Sequence, residues 1–278
     1  MQKLITLPAG ETVSNLGLGT WRMGENPRSR DQEVKALQTG LDLGMNLIDT
    51  AEMYGEGGAE EVIAKAIDGR RDDVFLVSKV YPHNASREGV VKACERSLKR
   101  LRTDCINLYL LHWRGQIPLN ETLEAFQQLV DAGKIRHFGV SNFDTDDMDK
   151  WWALNGGEKT TTNQVIYNLN RRGIEWDLLP WCEEKGIPIM AYSPLDQGAL
   201  NNHAALKKIA DQYDVEPMQI ALGWVLHQNN VIVIPKSANV EHVNQNYAAL
   251  NIELDPEDLA ELDRAFPPPG SAQPLDIL

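Results

Sequence analysis

The stretch INLYLLHWRGQIPLNETLEAFQQLVDAGKIRHFGVSN, Ile106 to Asn142, decides the fold. It opens on a short β-branched and aliphatic run, Ile106–Leu111, and closes on another, Ile135–Val140. Between them Leu123, Phe126 and Val130 share one face at helical spacing. Asn120 is the expected N-cap, and Gly133 the left-handed residue that ends the helix. Strand, helix and strand in succession form one unit of a parallel sheet with helices outside.

The same unit repeats in both directions. Candidate strands are Leu16–Leu18, Asn46–Asp49, Val74–Ser78, Ile106–Leu111, Ile135–Val140, Thr162–Ile166, Ile187–Ala191 and Val231–Ile234. Amphipathic stretches separate them. Val90, Val91, Cys94, Leu98 and Leu101 form one apolar stripe, and Val34, Leu37 and Leu41 face inward in the segment Asp31 to Gly44. Six of the seven intervals are about 25 to 32 residues, close to one unit of a (β/α)8 barrel. The last, from Met190 to Val231, is longer and must hold an extra loop, Ser193 to His203. No linker divides the chain. The expectation is an α/β fold, a single (β/α)8 TIM barrel domain over 1–278 with a short N-terminal β-hairpin and a short tail after Phe266.

Composition narrows the partners. The chain has 278 residues and a formal net charge of −13, which argues against nucleic acid and anionic membrane surfaces. No apolar run approaches the roughly 20 residues of a membrane span, and MQKLITLPAGET has no export-signal pattern, so a cytoplasmic protein is expected. Cys94, Cys105 and Cys182 are odd in number with no C-x-x-C pair, as for reduced structural thiols. No H-E-x-x-H or Cys/His cluster points to a metal.

A barrel of this kind carries its chemistry at the carboxyl ends of the strands. The polar residues there are Asp49, Lys79, His112, Ser141, Asn142, Gln164, Tyr192, Ser193, Lys236 and Ser237. A lysine and an aspartate at adjacent strand ends would pair. An ammonium beside Tyr54 would lower the phenol from its usual pKa of about 10 and make it a proton donor to a carbonyl oxygen. His112 could donate a second hydrogen bond to the same oxygen, but this group lacks an electron donor. Tyr192 could stack on a flat ring; Ser141, Asn142 and Gln164 suit a carboxamide. In IPKSANVEHVNQN, a lysine and a serine precede a helix start near Asn239, an arrangement that suits phosphate. Trp21 and Trp113 directly follow strands and so belong near the site. Trp151, Trp152, Trp176, Trp181 and Trp224 read as packing residues, and His83, His137, His203 and His227 as packing or surface residues. A rival reading makes Lys79 a Schiff-base nucleophile, which a paired aspartate would oppose. The loop GEGG, Gly55–Gly58, begins a dinucleotide fingerprint but fails it, because Glu60 stands where the third glycine belongs. Its glycines let the chain turn away from Tyr54.

Along essentially its whole length the sequence resembles the aldo-keto reductases. The resemblance rests on GLGTW (Gly17–Trp21), IDTAEMYG (Ile48–Gly55), VSK (Val77–Lys79), LLHW (Leu110–Trp113), GKIRHFGVSNF (Gly133–Phe143), NQV (Asn163–Val165), AYSPL (Ala191–Leu195) and IPKS (Ile234–Ser237). It implies a catalytic tetrad of Asp49, Tyr54, Lys79 and His112, with Trp21 and Trp113 beside Tyr54 and His112 in the substrate pocket. It implies NADPH across the barrel mouth, with Tyr192 on the nicotinamide and Ser141, Asn142 and Gln164 on its carboxamide. Lys236, Ser237, Asn239 and Asn246 would surround the adenosine phosphate. Gly19, Thr20, Trp21, Asp49, Ser193, Pro194, Leu195, Ile234 and Ala238 complete the implied cofactor strip, along with His242 and Gln245. Where many relatives carry an arginine this chain has His242, and Gln245 replaces a glutamate, so NADH stands as the alternative cofactor. The nearest likeness within the family is to small bacterial methylglyoxal and aldehyde reductases, through AEMYGEGGAE and GIEWDLLPWC. It implies reduction of aldehydes and small dicarbonyls by a monomer. Short loops and a short tail would leave the pocket open. A cofactor-binding regulatory subunit is the reading from another class.

Overall fold

In the computed structural model, residues 3–278 are described; Met1 and Gln2, at the start of the range read as one domain, lie outside the described residues. A two-stranded antiparallel hairpin, β1 (Leu4–Thr6) and β2 (Thr12–Ser14), comes first. The strands β3 (Leu18–Gly19), β4 (Leu47–Asp49), β5 (Phe75–Val80), β6 (Ile106–Leu111), β7 (Ile135–Ser141), β8 (Asn163–Ile166), β9 (Ile189–Tyr192) and β10 (Val231–Val233) then pair in sequence order, all parallel. The ring closes between its first and last strands. Gly17 N donates to Val233 O at 2.8 Å, Gly19 N to Pro235 O at 3.0 Å, and Val233 N to Asn15 O at 2.8 Å. A side chain at Gly19 would place its Cβ 2.8 Å from Ile234 O, so this seam needs glycine.

Period-two alternation sorts the strand residues into two layers. Leu47, Phe75, Val77, Leu108, Leu110, Met190, Ile232 and Ile234 fill the barrel interior, joined by Leu7 and Val13 from the hairpin. The opposite parity, including Ile48, Leu76, Val80, Tyr109 and Val165, packs against the helices.

Those helices are α1 (Arg30–Asp42), α2 (Gly58–Ala66), α3 (Arg87–Leu101), α4 (Leu119–Asp131), α5 (Thr145–Trp152), α6 (Leu178–Lys185), α7 (Ala204–Tyr213), α8 (Pro217–His227), α9 (Val240–Ala248) and α10 (Pro256–Ala265). None of them is long and apolar enough to cross a membrane.

Several local expectations shift. Regular pairing of the first barrel strand is at Leu18–Gly19, with Leu16 contributing an isolated bridge to Val233. The strand expected from Ile187 starts at Ile189, because Pro188 has no N–H to give the ladder. α4 begins at Leu119 behind Pro118, so Asn120 lies inside the helix and is not its cap. Its buried row runs Leu123, Phe126, Leu129, and Val130 is only half-buried. Gly133 does follow α4 in the left-handed region, at φ 69°. The long last interval holds a 3-10 segment, Asp196–Asn202, and two helices rather than one. Trp151 and Trp224 are core residues, but Trp176 is 49% exposed and packs little.

Candidate active site

Strand parity selects the site. Leu47, Val77, Leu110, Met190 and Ile234 point into the barrel, and two residues further along each chain stand Asp49, Lys79, His112, Tyr192 and Lys236. Each polar residue therefore inherits an inward direction from the apolar residue before it, at the end of the barrel where the strands finish. Gln164 joins them from β8, donating from Nε2 to Asp49 Oδ1 at 2.7 Å and lying 2.8 Å from Met190 Sδ.

Lys79 is fully buried. Its Nζ donates to both oxygens of Asp49 at 2.8 Å, to Thr50 O at 2.8 Å and to the Tyr54 hydroxyl at 3.3 Å. Burial pushes the Asp49 carboxyl up and the Lys79 ammonium down, each opposed by the charge of the other. The Tyr54 and His112 rings meet edge-on, with centroids 5.8 Å apart. Burial, then Lys79, holds the His112 imidazole well below its usual range, so it is neutral; its Nδ1 is buried with no hydrogen-bond partner.

One electrostatic expectation is overturned. Lys79 does not bring the Tyr54 phenol down. Its hydroxyl is held well above the ordinary tyrosine range, first by burial and then by Asp49 and Tyr192. Tyr54 is therefore held as a protonated phenol.

The loop carrying Tyr54 is pinned from both sides. Thr50 N donates to Val77 O at 2.9 Å, and Thr20 Oγ1 donates to Asp49 O at 2.8 Å. The glycines beyond do more than turn the chain. Gly57, at φ 93°, lies under Arg100, where a Cβ would come within 2.5 Å of Cδ and Nε. That gap lets Arg100 Nε donate to the buried Glu60 at 2.6 Å, whose other oxygen accepts from Ser78 Oγ at 2.8 Å.

Two hollows lie across the barrel mouth. The first, of about 310 Å³, is lined by Gly19, Thr20, Trp21, Asp49, Tyr54, His112 and Trp113, and by Ser141, Asn142, Gln164, Tyr192, Ser193, Ile234 and Lys236. Lys79 does not reach its wall. Tyr192 OH donates to Asn142 Oδ1 at 2.9 Å, Asn142 Nδ2 donates to His112 O at 3.1 Å, and Ser141 Oγ donates to Gln164 O at 2.8 Å. The second hollow, of about 680 Å³, takes Pro194, Leu195, Ser237, His242, Gln245 and Asn246. Trp21, Ser193 and Lys236 line both and join them. Ala238 and Asn239 line neither; Asn239 instead caps α9, accepting from Glu241 N at 2.8 Å.

Sequence reading missed Met53, Ile277 and Leu278 in the first hollow, and Arg22, Gln197, Glu216 and Met218 in the second. The tail is short, yet it does not leave the mouth open on its side. Arg171 Nη1 holds Asp276 at 3.0 Å, and Ile277 and Leu278 form part of the wall. The apolar ending was the one available signal for this.

A profile of the Aldo/keto reductase family matches residues 15–266. This chain belongs to the aldo/keto reductase family. It is 48% identical over 282 residues to the methylglyoxal reductase YeaE of Escherichia coli (strain K12), covering 100% of this chain and 99% of that one. It is 32% identical to a glyoxal reductase of Bacillus subtilis (strain 168), over 95% and 92% of the two chains. Among solved structures it matches an aldo/keto reductase from Klebsiella pneumoniae in complex with NADP and acetate, with a TM-score of 0.98 and 50% identity over 100% of both chains. An aldo/keto reductase is an oxidoreductase of the NAD(P)H-dependent class, and the barrel seen here is the fold of these relatives.

Proposed function

We propose that this aldo/keto reductase reduces aldehydes and small dicarbonyls of the methylglyoxal type, aromatic aldehydes among them, to alcohols with NADPH. The observation that carries the reading is the protonated Tyr54 hydroxyl at the wall of the first hollow, 3.3 Å from the buried Lys79 ammonium and edge-on to a neutral His112. The relatives named as methylglyoxal and glyoxal reductases support the substrate class, and the structural neighbour that binds NADP supports the cofactor.

The residues fit that cofactor. The second hollow carries Arg22 and Lys236 for phosphate and the capped start of α9 nearby, with Glu216 as its one carboxylate. Ser141, Asn142 and Gln164 offer amide and hydroxyl groups at the first hollow, and Tyr192 a flat face. When bound, the reduced nicotinamide supplies the hydride.

This chain's residues handle the proton. His112 and Tyr54 donate hydrogen bonds to the carbonyl oxygen and polarise it. As negative charge grows there, its basicity passes that of the phenol, and Tyr54 gives up its proton. Lys79, fixed by both oxygens of Asp49, then stabilises the phenolate. Trp21, Trp113 and Met53 wall the site with apolar surface suited to small carbonyl compounds. A Schiff-base role for Lys79 is disfavoured, because its Nζ is committed to Asp49, Thr50 O and Tyr54 and is absent from the wall.

Tyr54→Phe should lose about 10²–10⁴ in kcat with methylglyoxal while NADPH binding, read by fluorescence titration, stays near wild type. Wild-type turnover in that variant would overturn the proton-donor role. A kcat/KM for NADH equal to that for NADPH would overturn the cofactor preference.

A further inference from the structure

One buried carboxylate beside the site has no part in the chemistry above. Glu52 lies between Asp49 and Tyr54, and its side chain is 6% exposed. Oε1 accepts from Tyr81 N at 2.9 Å and from Asn84 Nδ2 at 3.0 Å, and Oε2 accepts from Arg96 Nη2 at 3.2 Å. Its backbone N donates to Lys79 O at 3.3 Å. A single side chain thus ties the loop after β4 to the loop after β5 and to α3.

One of these partners, Tyr81, also packs against residues of the site. Tyr81 follows Lys79 by two residues, and its ring stands edge-on to Trp113 at 5.7 Å and 6.5 Å from His112. Tyr54 itself is held by its backbone, whose N donates to Ala51 O at 3.1 Å and whose O accepts from Gly58 N, by its hydroxyl contact with Lys79 and by its ring contact with His112. Glu52 is the last side-chain anchor before the phenol. A residue serving only to pack would be apolar, because a buried carboxylate is costly unless donors surround it. Here three donors from two other elements do so.

We propose that Glu52 is a positioning residue that sets the Tyr54 hydroxyl and, through Tyr81 packed on Trp113, the Trp113 wall in one register around the carbonyl. The proposal rests on the reading of Tyr54 as proton donor. Without the Glu52 carboxylate the loop keeps its fold through the backbone bonds at Thr50 and Glu52, but the phenol loses one of the ties that fix its position. A misplacement of about 1 Å costs up to ~10² in rate.

The test is steady-state kinetics with methylglyoxal and NADPH on Glu52→Ala, Glu52→Gln and Tyr54→Phe, with kcat expressed per NADPH-binding site. Glu52→Ala should lower kcat about tenfold, with the NADPH dissociation constant unchanged. The solvent deuterium isotope effect on kcat should rise, as proton transfer becomes the slow step. Glu52→Gln keeps an oxygen for Tyr81 N and Asn84 and should recover most of the rate. If Glu52→Ala does not fold, Glu52→Asp, one methylene shorter with the charge kept, carries the same expected loss. A kcat within twofold of wild type, a loss that glutamine does not recover, or a loss with an unchanged isotope effect overturns the proposal. Tyr54→Phe separates the two ideas. If it turns over normally, the donor reading fails; if it is inactive while Glu52→Ala is normal, only the positioning role fails.

Discussion

Replacing Lys79 by methionine isolates the electrostatic centre of the barrel. The substitution keeps an unbranched apolar stem and removes an ammonium that sits 2.8 Å from both Asp49 oxygens and from Thr50 O. The carboxylate is left in a buried site with the Gln164 amide at 2.7 Å as its remaining side-chain donor. Breaking a buried pair from one side costs about 3–5 kcal/mol, since the surviving charge has neither water nor partner. The cost should depend on pH. Burial already raises the Asp49 carboxyl, and loss of the opposing ammonium raises it further. Above about pH 4 the unfolded chain releases this proton while the folded variant holds it. The variant therefore loses stability as pH rises from there through its raised folded pKa, by up to ~1.4 kcal/mol per pH unit. Urea unfolding followed by tryptophan fluorescence should show the full deficit at about pH 8 and a smaller one at about pH 5. Lys79→Met combined with Asp49→Asn should recover most of the loss. A deficit under about 1 kcal/mol at high pH, or one that does not change with pH, would refute the reasoning.

Three further outcomes follow from the geometry. Because the Tyr54 phenol is raised and the His112 imidazole lowered, both stay in their working forms between about pH 6.5 and 10, and kcat for aldehyde reduction should be flat there; a midpoint near neutral pH would contradict this. Gly57→Ala meets Arg100 at 2.5 Å in a left-handed backbone, adding about 1–2 kcal/mol of strain to the loss of the Arg100–Glu60 pair. Urea melts should show a deficit above that strain alone, and one below it would mean that Arg100 moves aside freely. The Cys94 and Cys182 thiols are each pushed up to about 12 by burial, so iodoacetamide at about pH 8 should alkylate the half-buried Cys105 first. Peptide mass mapping that finds Cys94 or Cys182 modified before Cys105 would refute it.

How much could be read from the chain depends on the range of each interaction. The eight strands and the direction of Asp49, Lys79, His112, Tyr192 and Lys236 follow from period-two alternation, a property of neighbouring residues. Strand ends were misplaced where one local feature decides them, as at Pro188. The N-cap of α4 was misplaced because Pro118 caps the helix, which starts at Leu119, one residue before Asn120.

The chain by itself determined the barrel, the polar residues at the strand ends and the family. What only the tertiary structure decided is the state of those residues and their surroundings. Burial, with Asp49 and Tyr192 beside it, holds the Tyr54 phenol up where the nearby Lys79 alone would have lowered it. Ile277 and Leu278 return to wall a site far from them in sequence. Gly57 leaves room for Arg100, and Glu52 binds three elements through one carboxylate. A protonation state depends on desolvation and on every charge within a few ångströms, and those distances exist only once the chain has folded.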